Sequence, residues 1–180
     1  ITAPDVNATL DAVPAVGSTA LAPLDVQGRF FRQTGQRFFL NGATGFAAYE
    51  RFLKEGAEAI RPVLAQRQAL GFNSLRVWTA YDIPKIGRLI PAEWPDFYGW
   101  PMRAFFVLCA EYGQYPYVTA FAGANAQTLG SQADMVVHQQ RLEAAILAAG
   151  NWALLDLHNE YSNPPNAPSK FIGPYPDARL

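Results

Sequence analysis

The chain has 180 residues, half of them apolar and 13% aromatic, which suffices for one domain with a sizeable buried core and excludes a disordered chain. Its 14 basic and 15 acidic residues nearly cancel and form no long run of one sign, so neither a nucleic-acid backbone nor a membrane surface is an expected partner. The single cysteine, Cys109, excludes an intrachain disulfide and a cysteine-rich metal site, and no apolar run reaches the roughly 20 residues that cross a bilayer.

Residues 1–24 are rich in Ala, Pro, Val and Thr, with Pro4, Pro14 and Pro23 spaced through them, a composition expected of an extended arm or linker. Residues 25–180 then read as one domain. Arg29-Phe30-Phe31-Arg32 and Arg37-Phe38-Phe39-Leu40 flank Thr34-Gly35-Gln36, which predicts a short β-hairpin. Three segments that follow repeat one plan, a helix-patterned stretch closed by glycine and then an apolar strand. Ala57 to Leu70 is followed by Gly71 and the strand Asn73–Trp78. Met102 to Tyr112 is followed by Gly113 and the strand Tyr115–Phe121. Ala133 to Ala149 is followed by Gly150 and the strand Trp152–His158. Each glycine stands where a helix end favours a left-handed residue.

Helices alternating with near-continuously apolar strands imply an α/β fold, a parallel sheet covered by helices. No G-x-G-x-x-G or G-x-x-x-x-G-K-[ST] follows a strand, so the nucleotide-binding versions lose support. Counted from Phe38 there are four strands, whereas a closed (β/α)8 TIM barrel needs eight and about 250 residues. The expectation is that this chain supplies about the first four βα units. The remaining C-terminal half-barrel, or a second chain, is then the expected partner, because a half-barrel exposes two sheet edges and an apolar inner face. Asn163 to Leu180, rich in proline, reads as a long fourth loop leading onward.

In such a fold functional residues collect at the C-terminal ends of the strands, here Asn41 to Phe46, Trp78 to Asp82, Phe121 to Asn125 and His158 to Tyr161. The last group is the most informative, because Leu155-Asp156-Leu157-His158-Asn159-Glu160-Tyr161 closes a strand with an Asn-Glu pair. This motif resembles the clan A glycoside hydrolases, in particular the cellulase-like, family 5-like members. Gly35-Gln36-Arg37-Phe38-Phe39-Leu40-Asn41-Gly42 is similar to that family's opening hairpin and first strand, and Leu70-Gly71-Phe72-Asn73-Ser74-Leu75-Arg76-Val77-Trp78 to its second strand. The resemblance covers residues 26–163. It implies a retaining glycosidase acting on a β-linked glycan, without metal or organic cofactor and often secreted. It further implies Glu160 as acid/base, Asn159 on the sugar 2-hydroxyl, and Arg76 beside a nucleophile that a later strand, outside this segment, supplies. The chemistry needs two carboxyl groups, one to protonate the departing oxygen and one to attack the anomeric carbon, held about 5–5.5 Å apart.

Two positions depart from the family. Tyr161 stands where proline usually follows the glutamate, and Phe121-Ala122-Gly123 carries no histidine at the end of the third strand. A non-catalytic carbohydrate-binding or structural module on the same scaffold is therefore the alternative. Arg76 within an apolar strand has a second reading as a structural ion pair, with Asp156 as the candidate partner, since an unpaired buried guanidinium is costly. Asp156 and Glu160 would lie about 13 Å apart along a strand, too far for a retaining pair, and Asp82 is a weaker candidate carboxylate. Trp78, Trp94, His158 and Tyr161 are the expected sugar contacts. For Trp94, as for Phe97, Tyr98 and Trp100, packing of the long loop is the competing role, and for His158 it is a hydrogen-bonded core position. His138 is expected on a solvated helix face and Cys109 in the core.

Overall fold

The computed structural model describes residues 21–28, 30–83, 86–122, 129–150 and 153–158, the side chains of Leu157 and His158 excepted. Most of the expected arm, the proline-rich segment after Asn163, and Asn159, Glu160 and Tyr161 lie outside the described residues. Three antiparallel strands come first, β1 (Leu24–Gln27), β2 (Phe30–Gln33) and β3 (Gln36–Phe38). The turn between β2 and β3 is Thr34-Gly35, where φ is 49° and 81°, so the expected hairpin forms about these residues and gains a third strand at β1.

Next come β4 (Gly42–Thr44), α1 (Ala48–Glu55), α2 (Ala57–Ala69) and β5 (Ser74–Trp78). A two-stranded antiparallel ribbon follows, β6 (Tyr81–Ile83) with β7 (Gly87–Leu89), then a 3-10 turn at Pro91–Glu93 and α3 (Trp100–Glu111). The chain closes its described part with β8 (Tyr115–Phe121), α4 (Gln132–Ala148) and β9 (Leu154–His158). Strands β4, β5, β8 and β9 form one parallel sheet in that order, so the chain is a mixed α/β protein with a parallel sheet. The three strands after the helix-closing glycines stand where the repeat puts them, and Gly71, Gly113 and Gly150 all have positive φ, at 77°, 65° and 106°.

One expectation is corrected. The first strand of the sheet is Gly42–Thr44, not the stretch from Phe38, which ends β3 in the hairpin. β4 carries no apolar run, and Gly42 is required by close approach. A Cβ there would meet the Ser74 carbonyl oxygen at 2.8 Å. On the face of the sheet away from the helices, polar and apolar residues are mixed among the described residues, with Trp78, Tyr117 and Leu154 in the same parity as Arg76, Thr119 and Asp156. Side chains alternate along a strand, and on one face Leu75, Val77, Val118 and Ala120 are fully buried. On the other, Arg76, Tyr117 and Asp156 are half-buried.

The helices bury that first face. Tyr49, Phe52 and Leu53 of α1 lie at one helical spacing and are all buried, an amphipathic signal sufficient to find α1 from the sequence. α3 is buried along nearly its whole length, from Pro101 to Ala110, and Cys109 is fully enclosed there, as expected, with burial pushing its thiol pKa up. α4 starts at Ser131, whose hydroxyl accepts the Asp134 amide at 3.2 Å, and buries Met135, His138, Leu142, Ala145 and Ile146.

The hairpin covers the N-terminal end of the sheet. The Tyr115 hydroxyl, at the start of β8, donates to the Ala22 carbonyl at 2.7 Å and accepts from Gln33 Nε2 at 2.5 Å, while Phe38 meets the Tyr115 ring edge-on at 5.3 Å. Asn73 fastens the same end. Its side chain accepts the Asn41 amide at 2.7 Å and donates to the Phe39 carbonyl at 2.8 Å.

Arg67 of α2 is buried beneath the junction of β4 and β5. One guanidinium nitrogen donates to the carbonyls of Ala43 at 2.5 Å and Ser74 at 2.7 Å, and Nε reaches Gln114 Oε1 at 3.4 Å. Burial lowers its pKa. Removing the cation strands two carbonyl oxygens, each at a cost of about 1–3 kcal/mol. Arg67→Met is expected to lower unfolding stability by at least about 2 kcal/mol, read from urea denaturation. An unchanged midpoint would mean that the guanidinium does not join the two strands.

Candidate functional site

The second strand supplies the centre of the site. Arg76 is the third residue of β5, and parallel register sets it beside Tyr117 of β8, while Thr119 is set beside Asp156 of β9. The guanidinium crosses β8. Its Nε donates to Thr119 Oγ1 at 3.1 Å and one terminal nitrogen reaches Asp156 Oδ2 at 2.5 Å. Thr119 Oγ1 then donates to the same carboxylate oxygen at 3.0 Å, closing a triangle over three strands. The side chains of Arg76 and Asp156 are 25% and 18% exposed, deep enough that either charge without the other would carry a heavy desolvation cost. The Tyr117 ring lies 5.5 Å from the Arg76 guanidinium, and burial, with Asp156 adding to it, raises the Tyr117 phenol pKa.

This triangle lies two residues short of the strand ends. β5 ends at Trp78, β8 at Phe121 and β9 at His158, the last two being register partners. Of the expected site residues, the structure therefore sets Arg76, Trp78 and the backbone of His158 at the C-terminal end of neighbouring parallel strands. Arg76 holds Asp156, the ion-pair partner expected for it. Trp78 is only 4% exposed. Phe46 covers one side of its ring at 4.0 Å, Tyr81 meets it edge-on, and its Nε1 is buried without a hydrogen-bond partner among the described residues. A sugar ring reaches the Trp78 face only if Phe46, itself 40% exposed, gives way. Trp94 is not brought to this group. It is half-buried in the segment before α3 and lines a different cleft, against α4.

His138 corrects an expectation. It is buried at 2% exposure rather than solvated, because it falls on the face of α4 that carries Met135, Leu142 and Ala145. Its Nε2 lies 3.0 Å from the Ala120 carbonyl, which can only accept, so Nε2 carries the proton. Nδ1 then accepts the Tyr98 hydroxyl at 2.7 Å. The imidazole thereby links α4, the end of β8 and the segment before α3. Burial lowers its pKa to about 4 and raises that of Tyr98 to about 12. A second buried cluster, also without a signal in the sequence, joins Glu50 of α1 to the Tyr81 hydroxyl and to Lys54. Glu50 is 6% exposed, and the cluster holds the β6–β7 ribbon to α1.

No family model matches the chain, and neither does any curated protein. One solved structure, named "Glycoside hydrolase", is similar over 74% of this chain and 40% of that chain, with 15% sequence identity and a TM-score of 0.47. The chain thus spans well under half the length of that protein. A likeness at this score assigns neither a family nor an activity.

The His138 contacts generate a pH dependence. The unfolded imidazole protonates near 6.5 and the folded one near 4, so protons favour the unfolded chain below 6.5. The stability that neutral His138 contributes is complete above pH 6.5 and is lost as pH falls through 4, about 3 kcal/mol in all. The groups facing it are Tyr98, which must turn from donor to acceptor, and the Thr79 hydroxyl, 3.3 Å from Nε2. Denaturation midpoints measured from pH 7 to pH 4 should fall steeply for the parent and less for His138→Gln. Parallel curves would assign the acid sensitivity elsewhere.

Proposed function

We propose that this chain is the first half of a (β/α)8 barrel glycoside hydrolase that cleaves a β-linked glycan by a retaining mechanism. Glu160 serves as acid/base and the nucleophilic carboxylate comes from outside residues 1–180. The observation that carries this reading is the sheet itself. Its four parallel strands run in chain order without reversal, whereas a doubly wound sheet reverses its strand order at a switch point. Continued addition in one direction is how a barrel closes. The hairpin across the N-terminal end of the strands leaves the C-terminal end for chemistry, which is where active sites of such barrels lie.

In this reading Leu157, His158, Asn159 and Glu160 carry the chain from Asp156 to the rim. The Arg76–Thr119–Asp156 triangle is the layer beneath. It holds the Arg76 guanidinium below the site, beside the place where this reading puts the nucleophilic carboxylate. Glu160 protonates the departing oxygen in the first step and takes a proton from water in the second. Asn159 donates to the sugar 2-hydroxyl, and Tyr161 and His158 border the sugar. Tyr161, in place of the usual proline, motivates one alternative, a non-catalytic glycan-binding module, which binds the same glycans without turnover.

The test is hydrolysis of β-linked oligosaccharides by the full-length natural polypeptide and by Glu160→Gln. The expected result is a fall in turnover of about a hundredfold or more, with binding retained. Equal turnover by parent and variant would overturn the catalytic role, and binding without turnover in both would establish the alternative. Arg76→Met is expected to depress turnover more than substrate affinity.

A further inference from the structure

The segment before α3 and the outer part of α4 border an open cleft of about 610 Å³ that the proposed strand-end site does not use. Its walls are Trp94, Asp96 and Tyr98 on one side and Arg141, Ala144 and Ala148 on the other. None of Arg76, Trp78 and Asp156 lines it. A helix joining two parallel strands runs against them, so α4 descends from the C-terminal end of the sheet. Ala148 lies ten residues beyond His138, which contacts the end of β8, a distance of about 15 Å along the helix. The cleft is therefore on the outside of the layer of helices, running from Tyr98, which His138 joins to the end of β8, down along α4 to Ala148.

Its chemistry is specific. Trp94 is half-buried, so part of its ring remains open, and the alanines of α4 leave room opposite it. The hydroxyl of Tyr98 is engaged by His138, which fixes the ring, and the Arg141 guanidinium rests 5.4 Å from the centre of that ring. Asp96 has φ of 55°, an uncommon backbone for a residue other than glycine. Neither Asp96 nor Arg141 has an ion-pair partner among the described residues. The cleft thus offers an acceptor-only carboxylate, a donor-only guanidinium and a flat aromatic surface, with the two charges cancelling. An anionic ligand meets Asp96 and a cationic one meets Arg141. A neutral polyhydroxylated ring satisfies all three, because its hydroxyls both donate and accept and its C–H face packs on an aromatic ring.

We infer that this cleft is a second, non-catalytic binding site for a neutral glycan, separate from the strand-end site. The choice of a glycan rests on the proposed function. The site gives Trp94 the sugar contact expected from the sequence, at a place other than the strand ends.

Binding of cellohexaose, xylohexaose and mannohexaose is measured by calorimetry on the full-length chain carrying Glu160→Gln, so that cleavage does not contribute. Asp96→Asn and Arg141→Met alter exposed side chains and leave the core untouched, and circular dichroism checks their fold. The expected result is a binding event for at least one glycan that weakens tenfold or more in each variant, and in Trp94→Ala. Isotherms identical to the parent in Asp96→Asn and Arg141→Met overturn the inference, as does the absence of binding by all three glycans. Loss of hydrolysis in Glu160→Gln with unchanged isotherms in the cleft variants leaves the proposed function standing and this inference refuted. No hydrolysis by the parent, with the cleft effects present, does the reverse.

Discussion

Arg76 reaches across β8 to Asp156, and the sheet is organised about that reach. A guanidinium in the middle of a parallel strand is tolerated only where acceptors surround it. Thr119 and Asp156 supply them from the next two strands, at 3.1 and 2.5 Å. The contact therefore requires β5, β8 and β9 to be adjacent, parallel and in the observed register. A shift by one residue would turn either Arg76 or its acceptors to the helix-covered face, where Leu75, Val77 and Val118 leave no exposed surface. The same triangle leaves a charged, hydrogen-bonded layer just beneath the strand ends.

A second arginine does comparable work at the other end. Arg67 ties the carbonyls of Ala43 and Ser74 together, so the short, small-residue strand β4 is held from below by a helix side chain rather than by its own apolar surface. With the hairpin seated on Tyr115 and Asn73, the N-terminal end of the sheet is committed to structure. The two ends of the sheet thus differ, with packing at one and a hydrogen-bonded charged triangle near the other.

Buried polar groups also organise the helix layer. His138 joins Tyr98 to Ala120, and Glu50 joins Tyr81 to Lys54. Both contacts fasten the long excursion between β5 and α3, which carries the β6–β7 ribbon and the aromatic segment ending at Trp100. Phe97 is buried at 2% exposure and receives the Tyr49 hydroxyl on its carbonyl at 2.6 Å, so this part of the aromatic cluster packs the loop. Trp94 and Tyr98 remain at its surface, facing α4 across the cleft.

The sequence by itself determined the repeat of helix, glycine and apolar strand, because period, chain reversal and burial of a parallel sheet are local properties written in adjacent residues. It determined the hairpin about Thr34-Gly35 and the enclosed position of Cys109 for the same reason. It also made Asp156 a candidate partner for Arg76, since both are charges in strands that otherwise read as apolar. Only the tertiary structure decided the rest. β4 carries no hydrophobic signal of its own, because its place is set by the close approach of Gly42 to Ser74 and by Arg67. His138 looks like a solvated helix residue until α4 is docked, when its face meets β8. Register across three strands gathers Arg76, Thr119, Tyr117 and Asp156 upon one face of the sheet, beside Trp78 and Leu154. Trp94 belongs to a cleft rather than to the strand ends because the direction of α4, and no local spacing, sets what it faces.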